Sequence, residues 1–84
     1  MRKTIDVYYR SGGYRGTVRV HKDADDKALE AGRLIAHRIY GRGGVVRACR
    51  IDSWSPDYST ATYQAFIGIA DGQGVTGRDV WIYL

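Results

Sequence analysis

The chain has 84 residues, 44% of them hydrophobic and 26% charged, with one cysteine, and thirteen Lys and Arg against nine Asp and Glu give a formal charge of +4. That length makes one domain, residues 1–84, with one small core and little room for a deep cleft. The composition is that of an ordinary globule rather than a disordered tail; it excludes a membrane span of about 20 apolar residues, a multidomain enzyme and a disulfide scaffold.

The opening segment, Met1 to Arg10, alternates polar residues without an apolar run, so no signal peptide is expected and a cytoplasmic location is the default. From Thr4 to Arg10, Ile5, Val7 and Tyr9 alternate with Thr4, Asp6, Tyr8 and Arg10, the period of a half-buried strand. Ser11-Gly12-Gly13 is a turn signal, and Tyr14 to His21 alternates again, with Val18 and Val20 opposed to Arg15, Thr17, Arg19 and His21. The two runs predict a β-hairpin.

The period then changes. Asp23 is the expected N-cap of a helix, with Asp26 three residues on and three Asp in the first turn facing the positive end of the dipole. At helical spacing Ala24, Ala28, Ala31, Gly32, Ile35, Ala36 and Ile39 share one half of the wheel, while Asp26, Glu30, Arg33 and His37 occupy the other. Leu34 lies off the apolar face and is expected to be exposed. Gly41 suits the helix end.

Val45 to Trp54 predicts a strand of mixed alternation. Val45, Cys49 and Ile51 with Arg47 fit one face, and Val46, Ala48 and Trp54 with Arg50 the other; the pattern does not decide which is inward, and a bulge would reset it. Ser55-Pro56-Asp57-Tyr58-Ser59 is a turn. Ala61 to Ala70 predicts a strand with Tyr63, Ala65, Ile67 and Ile69 on one side. Asp71 to Gly77 is expected as a Gly-rich loop and Asp79 to Leu84 as a last strand. The order ββαβββ predicts an α+β fold: a twisted antiparallel sheet of about five strands with one helix packed on one face and the other face open.

Few motifs carry chemistry. Gly72-Gln73-Gly74-Val75-Thr76-Gly77 matches G-x-G-x-x-G, but neither a helix nor a distant acidic residue follows, so a hairpin loop is expected. Gly41-Arg42-Gly43-Gly44 is a helix stop. His21, His37 and Cys49 lie far apart, so no metal and no cofactor is expected, and the Asp23, Asp25, Asp26 cluster is explained by helix capping. Cys49 is expected to be a small buried hydrophobe rather than a nucleophile. No carboxylate pair stands out, and the chain is not expected to be an enzyme.

The charge is uneven. Residues 1–50 hold twelve cations and five acids, a balance of +7, whereas residues 51–84 hold one cation and four acids, a balance of −3. The hairpin places Tyr8, Arg10, Arg15 and Arg19 on the open face, and Arg47 and Arg50 extend the patch, one on each side of the third strand. Arg and Tyr suit protein hot spots, phosphate contacts and base stacking. These six residues are the candidate binding set; Tyr14, Trp54, Trp81 and Tyr83 are expected in packing roles.

The sequence resembles small α/β anti-CRISPR proteins that inhibit type I surveillance complexes. The resemblance lies in the opening hairpin, the Asp-initiated Ala-rich helix from Asp23-Ala24-Asp25 to Ile39-Tyr40-Gly41, the Val45-Val46-Arg47 strand, the Tyr63-Gln64-Ala65-Phe66 strand and the closing Val80-Trp81-Ile82-Tyr83-Leu84 strand. It implies a phage or mobile-element protein, monomer or weak dimer, that blocks target-DNA binding or nuclease recruitment by contact with a Cascade subunit, through acidic patches or exposed guide RNA on the complex. Many such inhibitors are acidic DNA mimics; this basic chain departs from them there. The alternative is a small basic DNA- or RNA-binding regulatory protein.

Overall fold

A computed structural model describes residues 3–84; Met1 and Arg2, part of the segment expected to carry no signal peptide, lie outside the described residues. Five strands and one helix follow in the order β1 (Thr4–Ser11), β2 (Tyr14–His21), α1 (Lys27–Tyr40), β3 (Gly44–Trp54), β4 (Ala61–Ala70) and β5 (Val75–Tyr83), with a single 3₁₀ turn at Gly41–Gly43. The strands form one open antiparallel sheet in the order β2-β1-β5-β4-β3, and α1 covers one face. This is the expected α+β architecture.

The core lies between α1 and the sheet. Val7 and Tyr9 of β1, Val18 and Val20 of β2, Ala65 and Ile67 of β4, and Val80 and Ile82 of β5 meet Ala31, Ile35 and Ala36 of the helix. Alternation in each strand sends these residues to one side and the polar set to the other. The small helix face, Ala28, Ala31, Gly32 and Ala36 around Ile35, is buried as the wheel predicts, and it lets the helix approach the sheet closely. Leu34 is exposed, also as predicted.

The structure corrects three details. The helix is capped by Asp26 and not Asp23: the Asp26 carboxylate accepts the Leu29 N–H at 3.0 Å. Asp23 instead belongs to the connection after β2, where its N–H donates to His21 Nδ1 at 3.2 Å. Either Asp satisfies the local capping rule. The length of chain needed to turn from β2 onto the sheet selects the later one.

The Gly-rich loop is shorter than expected. Residues 71–74 form the turn, and β5 starts at Val75, with Ala70 opposite Val75 and Gly68 opposite Gly77. A Cβ on Gly68 would collide with the Thr76 carbonyl, and one on Gly77 with the Ile67 carbonyl. Gly68 and Gly77 therefore serve close strand approach, while Gly72 and Gly74, with φ of +90° and +143° and open space around them, shape the turn.

In β3, register shifts fall between Val46 and Ala48 and between Ile51 and Ser53. The first leaves Arg47 unpaired with a partner residue in β4, and the second does the same for Asp52. Val46, Cys49, Ile51 and Trp54 consequently share the helix side, opposite Ile67, Ala65, Tyr63 and Ala61. Neither of the two simple alternations holds, because two inserted residues reset the phase.

Candidate functional site

The sheet face away from α1 carries a continuous set of arginines and aromatic rings. Its register is explicit. Arg15 pairs with Arg10, Arg10 with Trp81, Trp81 with Gln64, and Gln64 with Arg50, so Arg15–Arg10–Trp81–Gln64–Arg50 forms one row across all five strands. Strand spacing makes this row roughly 19 Å long. The adjoining row runs Thr17–Tyr8–Tyr83–Thr62–Ser53.

Aromatic contacts hold this surface together. The Tyr8 and Tyr83 rings lie 5.4 Å apart between centroids. The Arg10 guanidinium sits over Trp81 at 5.9 Å and that of Arg47 over Phe66 at 4.1 Å. Cation–π attraction keeps both arginines on the face at little cost in solvation. Arg50 donates from Nη2 to Gln64 Oε1 at 3.3 Å. Arg47, Ala48, Arg50, Gln64, Ala65, Phe66 and Asp79 together line a shallow depression of about 260 Å³.

The face carries Arg10, Arg15, Arg19, Arg47 and Arg50 against Asp6 and Asp79. Arg19 pairs with Asp6 across the hairpin at 3.5 Å. Among the described residues, none of Arg10, Arg15, Arg47 and Arg50 lies within ion-pair distance of a carboxylate. Arg10 and Arg15 stand directly opposite one another, an arrangement that costs stability for like charges. Four arginines without acidic partners concentrate positive charge on one face of a small domain.

All six sequence-predicted residues lie on this face. Tyr8, Arg10, Arg15 and Arg19 alternate against the buried Val7, Tyr9, Val18 and Val20. Arg47 and Arg50 do not fall on opposite sides of β3; the bulge at Arg47 turns both outward over β4. Sequence reasoning missed Trp81 and Tyr83, which are on the open face and not in the core, and with them Phe66, Gln64 and Asp79. The signal was available: Val80 and Ile82 are wholly buried, and the residues alternating with them must face away.

Other candidates take structural roles. Arg78, the one cation after residue 50, lies on the helix side, where its Nε donates to Tyr40 Oη at 3.2 Å and its guanidinium covers the Tyr14 ring at 4.5 Å. Trp54 and Tyr58 sit exposed beyond the start of the helix, with ring centroids 6.2 Å apart. Cys49 is half-buried on the helix side; burial, and then the charge of Asp26, push its thiol above the ordinary value. Among the described residues, no three His, Cys, Asp or Glu side chains gather into a metal-holding group, and no helix is long and apolar enough to cross a membrane.

No protein-family model, curated protein or solved structure matches the chain.

Proposed function

We propose that this chain is a non-enzymatic binding protein that acts by laying the open face of its sheet against a larger assembly. One observation carries the reading: the row Arg15–Arg10–Trp81–Gln64–Arg50, with arginines at both ends and, among the described residues, no carboxylate paired to any of them. A helix covers the other face, so this is the side on which a partner gains most contact. Arginine and large aromatic side chains are the residue types that dominate binding energy at interfaces.

The resemblance supplies the partner class. In this proposal the assembly is a type I CRISPR surveillance complex in the host cytoplasm, and the chain is a phage or mobile-element inhibitor that covers a Cascade subunit and blocks target-DNA binding or nuclease recruitment. The basic face suits an acidic protein patch or the exposed guide RNA of the complex, and not mimicry of DNA. Purified tagged chain is expected to co-elute with at least one type I complex and to lower its affinity for target DNA. Absence of co-elution across the type I subtypes rejects the inhibitor proposal.

A second reading, a small basic DNA- or RNA-binding regulatory protein, draws on the same arginines and on the exposed aromatic rings between them. Retention on nucleic acid without any CRISPR complex, weakening log-linearly with salt, favours it.

A further inference from the structure

From the geometry of the open face we infer that it takes single-stranded nucleic acid, with one base seated in the depression lined by Arg47, Arg50, Gln64, Phe66 and Asp79. The inference rests on the open face being the binding surface and names what that face touches.

Three observations converge. First, the depression is flanked by cations but is not uniformly cationic. Asp79 lies in its wall beside Arg47 and Arg50. A phosphate placed inside would meet the Asp79 carboxylate, whereas a base offers N–H donors to it. The arginines at the rim are then left for the flanking phosphates.

Second, the floor and sides suit a flat ring. Arg47 lies over Phe66 at 4.1 Å, and a base stacks on a guanidinium plane as it does on an aromatic ring. Trp81 does not line the depression but is half-exposed beside it, paired with Gln64 in the central row, within reach of a neighbouring base. Arg50 engages Gln64 through Oε1, which directs the amide nitrogen of Gln64 to donate to a base carbonyl. The volume of about 260 Å³ holds one base and not a folded duplex end.

Third, the arginines continue past the depression. Arg10 and Arg15 extend the row across β1 and β2, where they meet phosphates on one side of the seated base while Arg50 meets those on the other. A duplex cannot present a base to a flat sheet without unstacking it, so the surface selects single strands.

The test uses the full chain carrying Trp54→Phe, which leaves Trp81 as the only tryptophan. Fluorescein-labelled rU12, dT12 and a 12-base-pair duplex are titrated by anisotropy from 50 to 200 mM salt, with Trp81 emission followed in parallel using unlabelled oligomers. Single strands are expected to bind in the micromolar range at low salt and to quench Trp81. Four arginine contacts give a log–log salt slope of about −3, which is roughly a 50-fold loss over that range. The double variant Arg47→Ala, Arg50→Ala is expected to bind at least tenfold more weakly with a shallower slope, and Asp79→Ala to bind no more weakly. Tighter binding of rU12 than dT12 assigns the site to RNA, and the reverse order to DNA. Duplex binding as tight as single-strand binding, or binding that leaves Trp81 emission unchanged, overturns the inference. If no oligomer binds but a CRISPR complex is still captured and released by Arg15→Glu, the nucleic-acid inference fails and the proposed function stands. If neither binds, both fail.

Discussion

Gly68 of β4 and Gly77 of β5 stand directly opposite each other, and neither has room for a methyl group. A Cβ at either position meets the backbone of the facing strand, which cannot yield as a side-chain tip can. Gly68→Ala and Gly77→Ala are therefore expected to destabilise the fold by about 2–3 kcal/mol each, the usual cost of overpacking a fitted site. For a domain of this size that lowers the thermal midpoint by roughly 10–20 °C. Gly72→Ala changes no such contact, since the space around it is open, although its φ of +90° favours glycine. A melting midpoint for Gly77→Ala within 3 °C of the parent, on the scale just given, contradicts this account.

The helix start gives a second prediction, because two aspartates compete for one role. Asp26→Ala removes the acceptor of the Leu29 N–H and is expected to cost about 1 kcal/mol. Asp23→Ala touches only the exposed connection and its 4.0 Å approach to His21, and is expected to cost less than about 0.5 kcal/mol. Urea denaturation of both variants measures the difference; equal losses would place the cap elsewhere.

These residues also show what the sequence carries. Period and composition announce the hairpin, the helix face and the succession of elements along the chain, because burial imposes a period of 2 or 3.6 along a single element; they do not give the order of strands in the sheet. They do not locate the cap, since Asp23 and Asp26 both obey the same local rule and only the path from β2 to the sheet chooses between them. They do not place Arg47 and Arg50 on one face either. That depends on inserted residues in β3, which are visible only against the register of β4. Trp81 and Tyr83 were legible by alternation with Val80 and Ile82. Large aromatic rings suggest packing in the core or at a sheet edge, but a one-helix sheet has only one face to bury, and the medium-sized aliphatic residues already fill it.

Asp57 supplies a pH-dependent prediction. In the turn between β3 and β4 its Oδ1 accepts the Ser55 and Ser59 hydroxyls, both at 2.7 Å, and the Ser59 N–H at 3.1 Å. The Ser55 and Ser59 hydroxyls, followed by the Ser59 N–H, pull its pKa from 3.8 down to about 2. A carboxylate depressed in the folded state contributes stability that is fully present above the unfolded value and lost as pH falls through the folded one. The contribution of this turn is thus expected to be intact above pH 4 and to fade between about pH 4 and 2. NMR titration of the Asp57 side chain is expected to give a midpoint near 2 and, in the Ser55→Ala, Ser59→Ala double variant, a midpoint moved back up toward 3.8. An unchanged midpoint in that variant excludes the hydroxyls as the cause.

Cys49 is expected to be a slow thiol. Burial raises its pKa, and the carboxylate of Asp26 adds to the shift; both keep it from the thiolate form that reacts. Alkylation by iodoacetamide at pH 8 is expected to run at least about tenfold slower in the native chain than in 6 M guanidinium. Asp26→Asn is expected to quicken the native reaction modestly. Native and unfolded rates that coincide would mean that the thiol is neither covered nor shifted.

The face itself makes the most discriminating prediction, because stability and binding move in opposite directions. Arg15 stands opposite Arg10 in the hairpin, and like charges so placed repel. Arg15→Glu turns the pair into an attractive one and is expected to raise stability by about 0.2–1 kcal/mol. The same change puts a negative charge at the end of the Arg15–Arg10–Trp81–Gln64–Arg50 row and is expected to abolish capture of an anionic or ribonucleoprotein partner. Arg19 behaves differently. It already pairs with Asp6 at 3.5 Å, so Arg19→Glu loses an exposed ion pair and gains a repulsion, with stability falling by about 0.5–1 kcal/mol. Its charge is half-spent within the fold, and its effect on capture is expected to be the weaker of the two. Denaturant midpoints and pull-down measured on the same preparations test the pair. A residue kept for folding loses stability when reversed; one kept for a partner gains it and loses the partner, and only the second outcome at Arg15 is consistent with the open face as the site.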